Sequence, residues 1–357
     1  MHMKFSHLLL LLCLPSSGQE KNYRDNPMPD FGPGYLTFYL DNDLFANTDR
    51  DYTNGTRISW ISGNRNLNQV GSFQRALQPF AGDRDSLSFF KNITGFEDLD
   101  AVQYNYGVSL TQLMFTPEDF QSPTQPVGQR RYAGWSALGF SLHTKDDQIL
   151  NSVEFLVGIT GKYSFAEDAQ NFIHESRGIE EFDGWENQIP TEVTADLAFI
   201  QKRRLDFLET GGPFSVDGIG EWGARLGTFR TNALLGGMIR VGLYLPADFS
   251  DPRLSETAYA HKYFTGGELR DHRWSVYALG GFRGTWVMHD ASLDGPFFSD
   301  FSTGNRKEPL VGEVYAGIGI QIKGVEFSYA HTWRSAEYKE EQDGGSSFGT
   351  VSVRFEF

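Results

Sequence analysis

Cysteine is almost missing from this chain of 357 residues: Cys13 is the only one, and it lies in an apolar run near the N-terminus. Lys4 and His7 open that run, Leu8 to Leu14 forms it, and Pro15-Ser16-Ser17-Gly18 closes it with small residues. Residues 1–18 therefore read as a secretory signal peptide, with cleavage near Gly18 or Gln19. The run falls far short of the ~20 apolar residues that cross a bilayer. Leu11 and Leu12 are too bulky for the residues that precede a lipidated cysteine. The exported remainder, 19–357, is expected to form a single domain without a thiol. Disulfides, a thiolate nucleophile and a Cys-ligated metal are all excluded. An exported protein of this size without disulfides points to a bacterial envelope.

Positive charge is scarce as well. The chain carries 31 Lys and Arg against 46 Asp and Glu, a net charge of −15, which excludes a nucleic-acid partner. No run is long and apolar enough for a helical membrane span. What the chain does have is 15% aromatic residues and 39 glycines, at a negative mean hydropathy. Gly and aromatic residues in many alternating segments mark a transmembrane β-barrel, in which half of each strand faces a polar lumen.

Twelve period-two segments follow the signal: 35–42, 56–62, 104–115, 132–143, 152–161, 192–207, 220–229, 232–245, 273–289, 311–322, 325–333 and 347–357. They predict an all-β fold, an antiparallel barrel of about twelve strands. In the last segment Val351, Val353, Phe355 and Phe357 alternate with Ser352, Arg354 and Glu356, an apolar-out pattern ending on an interfacial aromatic. With periplasmic termini, strand parity makes 43–52, 116–131, 162–191, a turn near Arg230, 290–310 and 334–346 external. The connections 63–103 and 246–272 are then periplasmic, and both exceed the short turns usual on that side. Val70 to Phe80 is apolar at helical spacing and predicts a small helix there. Phe172, Ile173, Ile179 and Phe182 predict another against the barrel in the external 162–191 loop.

Three external segments carry chemistry. The first, Asn42-Asp43 with Asp51-Tyr52-Thr53-Asn54-Gly55, reads as a hairpin tip; Asx-rich tips are ordinarily turns. The second is Gln129-Arg130-Arg131-Tyr132-Ala133-Gly134-Trp135. The third contains His174 among acidic neighbours, and a carboxylate beside an imidazole fixes its tautomer and supports the cation formed on proton uptake.

These residues match a pattern. Asn42-Asp43 with Asp51-Tyr52-Thr53-x-Gly55, then His174-x-x-x-Gly178-x-Glu180, resembles the LpxR-like lipid A 3′-O-deacylases of the bacterial outer membrane. The runs Gln112-x-x-Phe115-Thr116-Pro117 and Arg131-Tyr132-Ala133-Gly134-Trp135 are similar too. The resemblance implies a twelve-stranded barrel that uses calcium and removes an ester-linked acyl chain from lipid A in the outer leaflet. It places Asn42, Asp43, Thr53, His174 and Glu180 on the family's functional residues. The family also uses a lysine after the third strand. No lysine lies between Phe115 and Arg131 here, so Arg130 or Arg131 takes its place or the contact is lost.

Residue chemistry fits that implication. Ester hydrolysis without Ser or Cys needs an activated water and a group to stabilise the oxyanion. Calcium takes oxygen ligands, which assigns Asp43 and Thr53 to the ion. Asn42 is assigned to the oxyanion, His174 to the general base, Glu180 to its orientation or to the ion, and Arg130 and Arg131 to lipid phosphates as forked donors. The expected partner is lipopolysaccharide around a monomeric barrel. Strict alternation sends Asn42 outward and Asp43 inward, so joint action requires the strand to end or bulge there, at the barrel rim. Two other readings are open: an outer-membrane phospholipase, which calls for a His and Ser pair, and a non-catalytic porin or structural barrel, which calls for an open lumen.

Overall fold

The structure, a computed structural model, describes residues 34–42, 51–66, 94–96, 102–119, 122, 124–178, 184–209, 212–246, 248–258, 274–341 and 344–357. The signal segment, Asp43, Glu180 and the 70–80 segment lie outside the described residues.

Twelve long strands run in chain order: β1 (Tyr35–Asn42), β2 (Asp51–Ile61), β3 (Gln103–Thr116), β4 (Ala133–Lys145), β5 (Ile149–Thr160) and β6 (Val193–Glu209), then β7 (Phe214–Gly227), β8 (Arg230–Leu243), β9 (Trp274–Asp290), β10 (Leu310–Ile322), β11 (Val325–Ser335) and β12 (Gly345–Glu356). Each pairs antiparallel with its neighbour in sequence. β12 returns to β1, with Tyr35 opposite Glu356 and Asn42 opposite Gly349, so the sheet closes without an edge. Each overlaps one of the period-two segments, with β2 and β7 starting at Asp51 and Phe214, ahead of the expected 56 and 220.

Alternation sorts the side chains. Along β3, Tyr106, Val108 and Leu110 are exposed on the outer face, while Gly107, Ser109 and Thr111 between them are buried in the lumen. An apolar belt around a polar interior is the arrangement a bilayer selects, because only a closed barrel satisfies every backbone group there.

The first hairpin differs at one strand. β2 begins at Asp51, so Asn54 and Gly55 are strand residues opposite Asn42 and Asp41. The expected bulge exists, but on β2: its register with β3 passes from Tyr52 opposite Phe115 to Asn54 opposite Met114, skipping Thr53. β1 alternates strictly, with Asp41 buried inside and Asn42 half-buried outside.

The connection after β8 is a correction. Read as periplasmic, its described part, 248–258, instead enters the lumen. Asp248, Phe249, Ser250, Asp251, Arg253, Ser255 and Thr257 are all buried. Asp248 pairs with Arg240 and Arg354 of the wall, Asp251 with Lys202, and Glu256 with Arg225. The main chain is tied as well: Ala258 N–H donates to Glu154, and Ser255 C=O accepts from Arg57. A polar plug bound to charges on many strands fills a lumen too narrow for water to satisfy them all.

Candidate active site

Register alone assembles an outward-facing row at the external end of the wall. Asn42 lies opposite Asn54, Asn54 opposite Met114, and Met114 opposite Gly134. Lipid would cover such a row, and polar residues there call for another cover. Asn54 and Met114 are in fact 6% and 3% exposed.

The cover is α1 (Ala166–Arg177), the expected external helix, which starts after a 3₁₀ turn at Gly161–Ser164. The turn is pinned to the outer wall: Ser164 C=O accepts from the Gln112 amide at 2.9 Å and the Ser136 hydroxyl at 2.7 Å. Gly134 lets it approach, because a Cβ there would overlap the Ser164 hydroxyl and the Ala166 methyl. Ala166, Gln170 and His174, spaced by four, form the buried face of α1. Gln170 accepts from the Trp185 indole N–H at 2.8 Å, and Trp185 packs on Tyr132 with ring centroids 5.0 Å apart. Phe165 and Phe172 point the other way and are exposed. Gly178, with φ +67°, closes the helix in the left-handed conformation, its N–H donating to the Glu175 carbonyl at 3.2 Å. The Gly of the His174-x-x-x-Gly178 motif is thus the stop that ends the helix one turn after the histidine.

His174 is only 8% exposed. It lies eight residues beyond Ala166, about 12 Å along the helix at 1.5 Å per residue. Asn54 and Asn42 lie two and three strands from Gly134, about 10 and 14 Å at the usual strand spacing. The roof is therefore long enough to carry its histidine from β4 to the asparagine pair.

The predicted arginines part company. Arg130 is fully buried, with Nη1 on Glu337 and Nη2 on Ser292, both at 2.8 Å, and its guanidinium over the Phe115 ring. It ties the segment before β4 to Glu337 of the 334–341 loop and is not presented as a fork to a phosphate. Burial pushes the Glu337 carboxyl up, but Arg130 and Arg334 beside it more than offset that and hold it below its ordinary value. Arg131 is half-buried, with Nε on Gln125 and Nη1 on the Asn187 carbonyl, over the Phe301 ring. Burial lowers its pKa from the ordinary arginine value.

Asn42 thus lies on the outer wall at β1, and His174 on the buried face of the roof helix, whose anchors are on β3 and β4. Thr53 is at the β2 bulge, and its side chain is not among those described; Asp43 and Glu180 lie outside the described residues. Sequence reasoning missed Asn54, which stands beside Asn42 and accepts from the Thr56 hydroxyl at 3.0 Å. Its signal, the alternation Asn54, Thr56, Ile58, was hidden by reading Asp51–Gly55 as a turn. Among the described residues no three or more His, Cys, Asp or Glu converge on a metal position. The donors beside the roof are amide oxygens, which suit a hard ion such as calcium and not a soft one.

A closed twelve-stranded barrel with an apolar belt and a roofed polar patch outside its wall defines an outer-membrane protein. The family model described as outer membrane protein LpxR matches residues 5–357, and the chain belongs to this family. LpxR from Salmonella typhimurium has the same fold, with TM-score 0.65 and 16% identity over 90% of this chain and 100% of that one. The β domain of the Bordetella autotransporter BrkA follows at TM-score 0.39 and 9% identity, covering 92% and 99% of the two chains. The translocator domain of NalP from Neisseria meningitidis follows at 0.36 and 8%, covering 93% and 90%. No curated protein matches the chain.

Proposed function

We propose that the protein is a lipid A deacylase that hydrolyses the ester-linked 3′-O acyl chain in the outer leaflet. The observation that carries this reading is a buried histidine, His174, on the inner face of a helix covering a polar patch on the lipid side of the wall. A water-filled lumen has no use for a histidine outside the barrel, whereas a lipid that never leaves the membrane reaches the site there.

In this scheme His174 takes a proton from water as the water oxygen attacks the ester carbonyl carbon. The Asn42 amide donates to the carbonyl oxygen as it gains charge. Collapse of the tetrahedral intermediate breaks the bond from the acyl carbon to the sugar oxygen and releases the fatty acid, and the leaving sugar oxygen takes the proton from His174 to become a hydroxyl. Glu180 orients the imidazole. Calcium held by Asp43 and Thr53 would supply Lewis-acid polarisation of the carbonyl. Arg131, rather than the buried Arg130, is the donor left for a lipid phosphate.

The phospholipase reading lacks its pair in this loop: α1 is helical through both His174 and Ser176, and residues two apart on a helix do not face one another. The porin reading meets a lumen filled by 248–258.

Purified protein incubated with lipid A should release fatty acid detectable by mass spectrometry, and excess chelator should lower the rate about 100-fold or more, because an oxyanion contact alone is worth that much. Undiminished release in chelator would remove the calcium role. Gly134→Val should also slow release, by about 100-fold for a roof lifted by roughly 1 Å. The variant barrel should remain folded, since the added methyls point outward.

A further inference from the structure

Between the plug and the external mouth the lumen keeps a cavity of about 100 Å³. Among the described residues its lining holds six arginines and five carboxylates, and Glu221 and Asp251 behind the lining pair with Arg283 and Arg253 as well. Five of those arginines sit in ion pairs, such as Arg225 with Glu256 and Arg230 with Asp290. Arg57 does not. It is 2% exposed, its Nε donates to the Thr111 hydroxyl at 2.8 Å and its Nη1 to the Ser255 carbonyl at 2.7 Å. No described carboxylate lies within ion-pair distance of it. Asp41, the lining carboxylate nearest in register, sits opposite Gly55, two residues along β2. Glu154, another buried carboxylate, accepts instead from the Ser109 hydroxyl and the Ala258 N–H.

A guanidinium taken out of water without a counter-charge is one of the most costly arrangements a fold can hold. Here the cost is avoidable, because the cavity beside it has room for an ion. A second donor faces the same space: the Thr332 hydroxyl lines the cavity, is fully buried and has no hydrogen-bond partner among the described residues. Thr111 accepts from Arg57, which leaves its own hydroxyl hydrogen to donate inward. We infer that the cavity binds one small monovalent anion of the halide class, held by Arg57 behind the wall strand that carries Asn54 on its outer face. Arg57 is the one lining arginine without an ion pair among the described residues, so a monovalent ion matches it and a phosphate dianion would overshoot it.

Crystals of the full-length protein grown with bromide in place of chloride test this by anomalous scattering. The expected result is a bromide peak within hydrogen-bond distance of Arg57 in the wild type and in Arg57→Lys. In Arg57→Gln, half-occupancy should need about tenfold more bromide or higher, the loss expected of one charge-assisted hydrogen bond. Water alone beside Arg57 in wild-type crystals would overturn the assignment, as would an undiminished peak in Arg57→Gln. Because the wild-type peak is decisive by itself, the test survives a variant that fails to fold.

Discussion

His174→Ala should insert as a normal barrel and release fatty acid from lipid A about 100- to 10,000-fold more slowly than wild type, the range removed with a general base. The substitution is well placed to separate chemistry from folding. His174 is on a roof helix outside the barrel, and alanine is the better helix former. Other residues anchor the roof: Ser164 on Gln112 and Ser136, and Gln170 on Trp185. Folding is read from resistance of the barrel to unfolding in cold detergent, and chemistry from fatty acid released per unit of folded protein. A variant that folds and hydrolyses at the wild-type rate would remove His174 from the mechanism.

Arg240→Ala should cost about 3–5 kcal/mol of stability, because it strands the buried Asp217 carboxylate and takes one of two cations from Asp248. Arg240 is fully buried, with Nε on Asp217 at 2.9 Å and Nη1 on Asp248 of the plug. Asp248 keeps Arg354, but Asp217 loses the cation it faces. Arg306→Ala serves as the contrast. It breaks an ion pair with Glu340 from a side chain that is 71% exposed, and surface pairs of that kind contribute little. Urea titration of both variants in detergent should move the Arg240→Ala midpoint far below wild type and leave Arg306→Ala near it. Equal midpoints for Arg240→Ala and wild type would mean that the plug is not anchored as described.

The strands were legible because a barrel writes its two environments into every second residue. Ser352, Arg354 and Glu356 against Val351, Val353 and Phe355 needed no tertiary information. The plug was illegible for the complementary reason. Asp248 to Thr257 looks like a solvated loop, since its carboxylates find their cations on distant strands, at Arg240, Lys202, Arg225 and Arg354. At the candidate site, residue chemistry and the family resemblance nominated Asn42 and His174, and the structure puts Asn42 on the outer wall and His174 on the buried face of the roof helix. Asn54 escaped because Asn and Asp favour turns by local bonding, and only pairing with Met114 reveals a strand. Arg130 and Arg131 were indistinguishable as neighbours; their opposite fates follow from Glu337 and Ser292, more than 150 residues away.

The central claim is that the roofed patch cleaves an acyl chain from lipid A, and mass spectrometry of lipid A from cells expressing the protein tests it most directly. The account predicts a species lighter by one ester-linked acyl chain with the wild type and intact lipid A with His174→Ala. Intact lipid A with both proteins, or lysophospholipid in its place, would contradict it.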